Sequence, residues 1–394
     1  MFFCLKTPRR PGLMLPQIEK YYINGSAAEG FKMDKIKAFM VRKNIVFSAK
    51  RYGIDALGAM AQGLFCTLLI GTILNTLGTQ FHIGFLTDTV ATVNGSELTI
   101  GGLASAMVGP AMAAAIGYAL AAPQLVLFSL IPVGYATNVL GGAGGPLAVL
   151  VVAIIAAEFG KAVSKETKID ILVTPIVTIT VGIGIASLIA RPIGNAASAF
   201  GTFIMWATDL QPFLMGILVS VAVGVALTLP ISSAAICAAL SLTGLAGGAA
   251  VAGCCAQMIG FATMSFKENG VGGLVSQGIG TSMLQMPNII RNPKIWIAPT
   301  LASAITGPIA TCVFKMNMNG AAVSSGMGTC GLVGQIGVYT GWVNDIAAGI
   351  KSGITAFDIT GLILISFILP AVLSCIFCEI ERRIGWIKDG DLKL

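Results

Sequence analysis

Charged side chains are scarce in this chain. Asp, Glu, Lys and Arg make up 10% of its 394 residues, where a soluble globular protein carries roughly 25%. That is too little charge to cover a water-facing surface of this size, so a soluble enzyme is excluded. The 55% hydrophobic content and the mean hydropathy of +0.87 exclude a disordered chain as well. Histidine is almost missing: His82 is the single one, in a polar stretch, and reads as a loop residue. One histidine cannot build a zinc site of the usual kind, and the nine cysteines show no CxxC…CxxC spacing, so no metal and no cofactor are expected. Cys66, Cys237, Cys254, Cys255, Cys375 and Cys378 sit in apolar runs and are expected as free thiols acting as small hydrophobes. There is no GxxxxGK[ST], GxSxG or HExxH, so neither ATP use nor a hydrolytic site is indicated. The strand alternation of a transmembrane barrel is absent too.

What is present is apolar sequence rich in glycine, 49 residues in all, which suits closely packed helix backbones. The expected fold class is all-α: a polytopic membrane protein with eight to ten transmembrane helices plus re-entrant Gly-rich hairpins. Full spans are expected at about 53–78, 101–122, 124–140, 146–160, 171–190, 211–231, 295–314 and 354–378, each near the 20 residues that cross a bilayer. GGAGG at 141–145 turns the chain. Residues 233–264 are apolar but broken by TGLAGG at 243–248, and read as a hairpin of two short halves. GGAGG also resembles GLAGG at 244–248, an echo that suggests internal duplication.

The few charges are sorted. Residues 1–51 hold eleven Lys/Arg against three Asp/Glu, and no Lys or Arg occurs between Arg51 and Lys161. Residues 1–32 read as a disordered extension, and 33–51 as a basic amphipathic helix on the inner membrane surface. With no soluble domain beside it, a nucleic-acid arm is not expected. An even number of spans places both termini, Lys161, Lys165, Lys168, Lys267, Arg291 and Lys294 on the cytoplasmic side, in line with the positive-inside rule. Residues 52–380 form the membrane domain and 381–394 a cytoplasmic tail.

Non-helical backbone at membrane depth must be buried in protein or line a watery cavity. Two Gly-rich stretches have that character, 265–294 and 320–343. In the second, Gly328, Gly331, Gly334, Gly337 and Gly341 would form one smooth helix face. Polar side chains inside a membrane default to functional candidates. Here they are Asn75, Asn138, Gln257, Glu268, Asn269, Gln277, Gln285, Asn288 and Gln335. Amides and carboxylates suit the vicinal hydroxyls of a sugar or polyol. The substrate-binding set expected from this pattern is Glu268, Asn269, Gln335, Asn138, Gln257 and Asn288, with Glu268 foremost.

Three segments carry a family resemblance: QPFLMGILVSVAVGVALTLPISSAAI (211–236), FKENGVGGLVSQGIGTSMLQMPNIIRNP (266–293) and NPKIWIAPTLASAITGP (292–308). Together they resemble the EIIC membrane subunit of phosphotransferase-system sugar permeases, and in particular its stand-alone type 2 members, some labelled regulators of toxin production. The resemblance covers about 34–380. It implies a permease of the bacterial inner membrane that binds a sugar or similar small polar solute between a scaffold and a transport domain. It further implies elevator-like movement, a homodimer, and a separate EIIB-type protein as partner. The Ile-Thr-Glu-Pro-like motif of glucose- and lactose-type members is missing, and no EIIA or EIIB domain is fused, so the chain is not expected to be an enzyme. The alternative is a membrane sensor that binds a small ligand without moving it.

Overall fold

The computed structural model describes residues 37–93 and 95–394. The expected disordered extension, 1–32, lies outside the described residues. The chain divides into two compact units, Met1–Asn44 and Ile45–Leu394. In the first, 37–42 is helical, with Arg42 and Lys43 over the Phe39 ring. The single helix expected over 33–51 is interrupted. Asn44 takes a left-handed φ of 54°, 45–48 are non-helical, and helix resumes at 49.

The protein is an all-α, multi-pass membrane protein, 79% helical. Its main helices are α1 (Arg51–Thr79), α2 (Ile100–Ala106 and Val108–Ala119, bent by 50°), α3 (Gln124–Gly141) and α4 (Gly145–Val163). They continue with α5 (Asp170–Thr208), α6 (Pro212–Thr228), α7 (Ser233–Ala239) and α8 (Gly244–Met264). After these come α9 (Phe266–Val275), α10 (Met286–Arg291), α11 (Pro293–Val313), α12 (Val333–Ala347) and α13 (Ala356–Arg383). Among the described residues, six stretches are long and apolar enough to cross a membrane, or seven with α2. One of them, Gln124–Val163, is a helical hairpin. Gly142 at φ 50° reverses the chain, and Gly145 comes back against Asn138. The bend of α2 has a local cause: Pro110 supplies no amide hydrogen to the carbonyl of Ala106 and crowds it. A short hairpin, Ala91–Val93 paired antiparallel with Ser96–Leu98, joins α1 to α2.

The expected break falls at the start of that stretch: α7 ends at Ala239, Ser241 and Gly244 take left-handed φ values of 50° and 64°, and Thr243 is extended (φ −130°, ψ −169°). Residues 244–264 form one continuous helix, the most enclosed of the candidate spans. Its glycines are contact points. A methyl group on Gly248 would overlap the Met316 carbonyl, and one on Gly253 the Ser220 carbonyl. GGAGG and GLAGG therefore differ in structure, one a reversal and the other the first turn of a helix.

α6, α8 and α11 pack against one another. Ser220, Gly224 and Thr228 meet Gly253 and Gln257 in ascending order, so α6 and α8 run parallel. Gly216 and Ser220 meet Gly307 and Ser303 in descending order, so α11 runs antiparallel to both. Two parallel helices so near in sequence require the chain to return between them. It does so through α7, which at seven residues spans only about 10 Å. The turn falls at Leu229–Ser232, where Pro230 holds Leu229 extended (ψ 157°) and ends α6.

Two further reversals share this character. Residues 266–291 run through α9 and a π turn to an extended Thr281, then back through α10. Residues 320–347 enter as an irregular arm, turn at Gly328 and Gly331 (φ 54° and 53°), and leave as α12. The five-glycine stripe expected there is thus divided. Gly328 and Gly331 make the tip, while Gly334, Gly337 and Gly341 pack α12 onto the incoming arm at Gly328, Ser324 and Asn319.

Gly253→Ala should destabilise the protein by about 3 kcal/mol, the upper range for overpacking, through separation of α6 from α8. Gly184→Ala, where nothing lies within 4 Å of an added methyl, should leave stability unchanged or raise it by up to about 1 kcal/mol. Unfolding midpoints in detergent check both.

Candidate functional site

Four chain reversals meet at one point. The Ser232 amide donates to Ala143 O at the α3–α4 turn (3.0 Å), and the Ser233 hydroxyl donates to Gly326 O near the α12 hairpin tip (2.7 Å). The Thr228 and Ser282 hydroxyls lie 2.8 Å apart, joining the α6–α7 turn to the 266–291 hairpin. Serine and threonine suit these positions, because each tip carries backbone groups that the missing helix turn leaves unpaired.

A cavity of about 230 Å³ remains where the tips converge. At about 30 Å³ per water, it has room for a solute of several water volumes. One wall is made by Leu64, Leu68 and Leu69 of α1, Val108 of α2, and Asn138, Gly142 and Pro146 at the α3–α4 turn. The facing wall comes from the hairpins: Leu227 and Ile231–Ala235, then Thr281 and Met283, then Met327 and Cys330. Among the described residues, none of the lining side chains is Asp, Glu, Lys, Arg or His. Its polar groups are the Asn138 carboxamide and the Ser232, Ser233 and Thr281 hydroxyls. Ser232 Oγ caps α7 by accepting from Ala235 N (3.2 Å), and Thr281 Oγ1 accepts from Met283 N (3.2 Å). Asn138 makes no hydrogen bond among the described residues, so its amide is available to a solute. A charged solute would lose its hydration here without a counter-charge. An uncharged solute with hydroxyls on one face and hydrocarbon on the other matches the walls.

Of the six expected substrate-binding residues, Asn138 alone lines this cavity. Gln257 lies on α8 outside the lining and is engaged through both amide atoms. Its Oε1 accepts from the Trp296 indole (2.9 Å) and from Thr228 (3.3 Å), and its Nε2 donates to Thr300 (3.2 Å). Gln335 borders a separate crevice with Phe81 and Tyr339, and its Nε2 lies 3.2 Å from the Cys255 sulfur. Glu268, Asn269 and Asn288 do come together, but around the end of α13 and the chain that follows it. Glu268 pairs with Arg382 (2.6 Å), Asn269 donates to Leu392 O (2.8 Å), and Asn288 donates to Lys393 O (2.9 Å). Ser232, Ser233 and Thr281 were not anticipated. Their signal is a small hydroxyl residue within three positions after a helix breaker, Pro230 or Gly280.

A charged cluster sits elsewhere. Lys161 pairs with Glu158 (2.8 Å) and donates to Leu120 O (3.2 Å), which also accepts from Arg51. It ties the end of α2 to α1 and α4 and faces no cavity wall named above. Among the described residues, no group of three or more His, Cys, Asp or Glu is arranged to hold a metal.

Gln257→Leu keeps the volume but strands the Trp296 N–H. A loss of about 2 kcal/mol in stability is expected, within the cost of one unpaired buried donor. Thermal unfolding monitored by tryptophan emission reads it.

A protein-family model described as "Phosphotransferase system, EIIC" matches residues 54–394. No curated protein and no solved structure matches the chain.

Proposed function

The chain belongs to the EIIC family of the phosphotransferase system, and from that premise we propose that it is a permease for a small uncharged sugar or polyol. The solute binds in the cavity where the four reversals meet, with Asn138 as its principal polar contact. The observation that carries this reading is the conjunction of an uncharged lining with one unengaged carboxamide.

The cavity has two walls of different origin, α1–α4 on one side and the hairpins on the other. Displacement of the hairpin wall against α1–α4 would carry the solute with it, and this supports elevator-like movement. The homodimer and the separate EIIB-type protein rest on the family alone. The bacterial inner membrane, with both termini cytoplasmic, rests on the family and on the sorting of basic residues.

Purified protein in proteoliposomes should take up a labelled neutral monosaccharide with saturation. Asn138→Ala should weaken binding by at least about tenfold, or about 1.4 kcal/mol, at an unchanged unfolding midpoint, as read by isothermal titration. Tight binding with no uptake by the wild type would reassign the protein as a sensor.

A further inference from the structure

The last residues of the chain are built into the body. After α13, Gly385 and Gly390 (φ 80° and 93°) turn the chain back, and 386–394 lie against the 266–291 hairpin. Leu392 is 0% and Ile387 2% exposed. Leu392 belongs to the same buried cluster as Met283 and Met286, and Met283 lines the cavity.

Four of the bonds that hold this segment are of one kind. Its carbonyls accept from side-chain amides of the hairpin and its continuation. Gln285 and Asn269 donate to Leu392 O (2.9 and 2.8 Å), Asn288 to Lys393 O (2.9 Å), and Asn292 to Trp386 O (2.9 Å). Asn269 Oδ1 accepts in turn from Leu394 N (2.9 Å). Arg382 bridges Glu268 (2.6 Å) and Asp389 (2.8 Å) at the root. The backbone–backbone bonds within 385–394 are all local, such as Trp386 N to Glu381 O and Lys393 N to Gly390 O. The segment can therefore leave without breaking any helix of the body. Its departure would strand the buried amides of Gln285 and Asn288, and such groups are costly unless water or hydroxyls replace the lost carbonyls. A row of amides leads onward, from Asn288 to Gln285 (2.8 Å) and from Gln285 to Gln277 (2.9 Å). It flanks the turn whose Thr281 and Met283 form part of the cavity wall.

We propose that residues 386–394 are a strap that seals the cavity on this side. Building on the assignment of the cavity as the solute site, the strap blocks one route of access, with its carbonyls occupying the amides that solute hydroxyls meet once it lifts. Leu392 is the latch and the Glu268–Arg382 pair is the hinge anchor.

The test uses the full-length protein in nanodiscs. Hydrogen exchange reads release of 386–394. Alkylation of Cys330 by a small water-soluble maleimide, quantified on its peptide by mass spectrometry, reads access to the cavity. Cys330 lines the cavity and is 6% exposed. Leu392→Asp should raise exchange in 386–394 and speed Cys330 alkylation at least tenfold, while Leu392→Met changes neither. If Leu392→Asp does not fold, Leu392→Ser serves, with a smaller rise in the same direction. Faster exchange with unaltered alkylation overturns the strap as a seal, and unaltered exchange overturns Leu392 as its latch. Neither readout needs a solute. Failure of the strap therefore leaves the sugar assignment standing, and absence of uptake by the wild type leaves the strap result standing.

Discussion

The contact between Gly253 and the Ser220 backbone decides the rest of the architecture. With no side chain at Gly253, α8 lies against α6 at backbone distance, and the order of contacts along the two helices makes them parallel. Parallel neighbours cannot be joined by a short loop at one end, so the chain must turn back between them, as it does through α7. Each inner turn leaves backbone groups without helical partners, and lipid offers none. The cheapest remedy is to bring the turns together so that each satisfies the others. Thr228 with Ser282, Ser233 with Gly326, and Ser232 with Ala143 do this. The cavity follows from the same choice. Tips built from serine, threonine, glycine and alanine pair their backbones well but carry too little bulk to fill the space where they meet.

Polar residues in this protein divide by what occupies their hydrogen bonds rather than by how deeply they are buried. Gln257, Gln277, Gln285 and Asn288 are all buried and all engaged by protein. Asn138 is only partly buried and engaged by none of the described residues. A membrane protein keeps buried amides either to clamp its own backbone or to receive a guest, and the partner list distinguishes the two uses.

Much of this organisation is visible in the sequence because it is written in composition and short-range pattern. Scarce charge with long apolar runs requires membrane helices, and GGAGG between two of them requires a turn. The two Gly-rich polar stretches do reverse the chain as hairpins. The readings that changed depended on distant partners. TGLAGG does open on a break, at Thr243 and Gly244, but its later glycines continue into a helix because Met316 packs on Gly248. Glu268, Asn269 and Asn288 read as open polar groups until the segment a hundred residues downstream folds onto them. Ser232, Ser233 and Thr281 are short, common residues whose importance comes only from sitting at tips that converge. Residue type and spacing carry polarity and periodicity, but not which backbone, far along the chain, arrives to use them.

α5 has 39 residues in one unbroken helix, a length of about 58 Å at 1.5 Å per residue. A bilayer with its headgroups is about 40–45 Å thick, so α5 must lean steeply or project beyond it. Ile193 and Gly194, part-way along α5, support Gly144 and Gly141 at the α3–α4 turn, beside Asn138. The lean of this helix is therefore transmitted to the floor of the cavity. Lipid chain length, which sets how far a helix of this length must tilt, would then bear on the shape of that cavity.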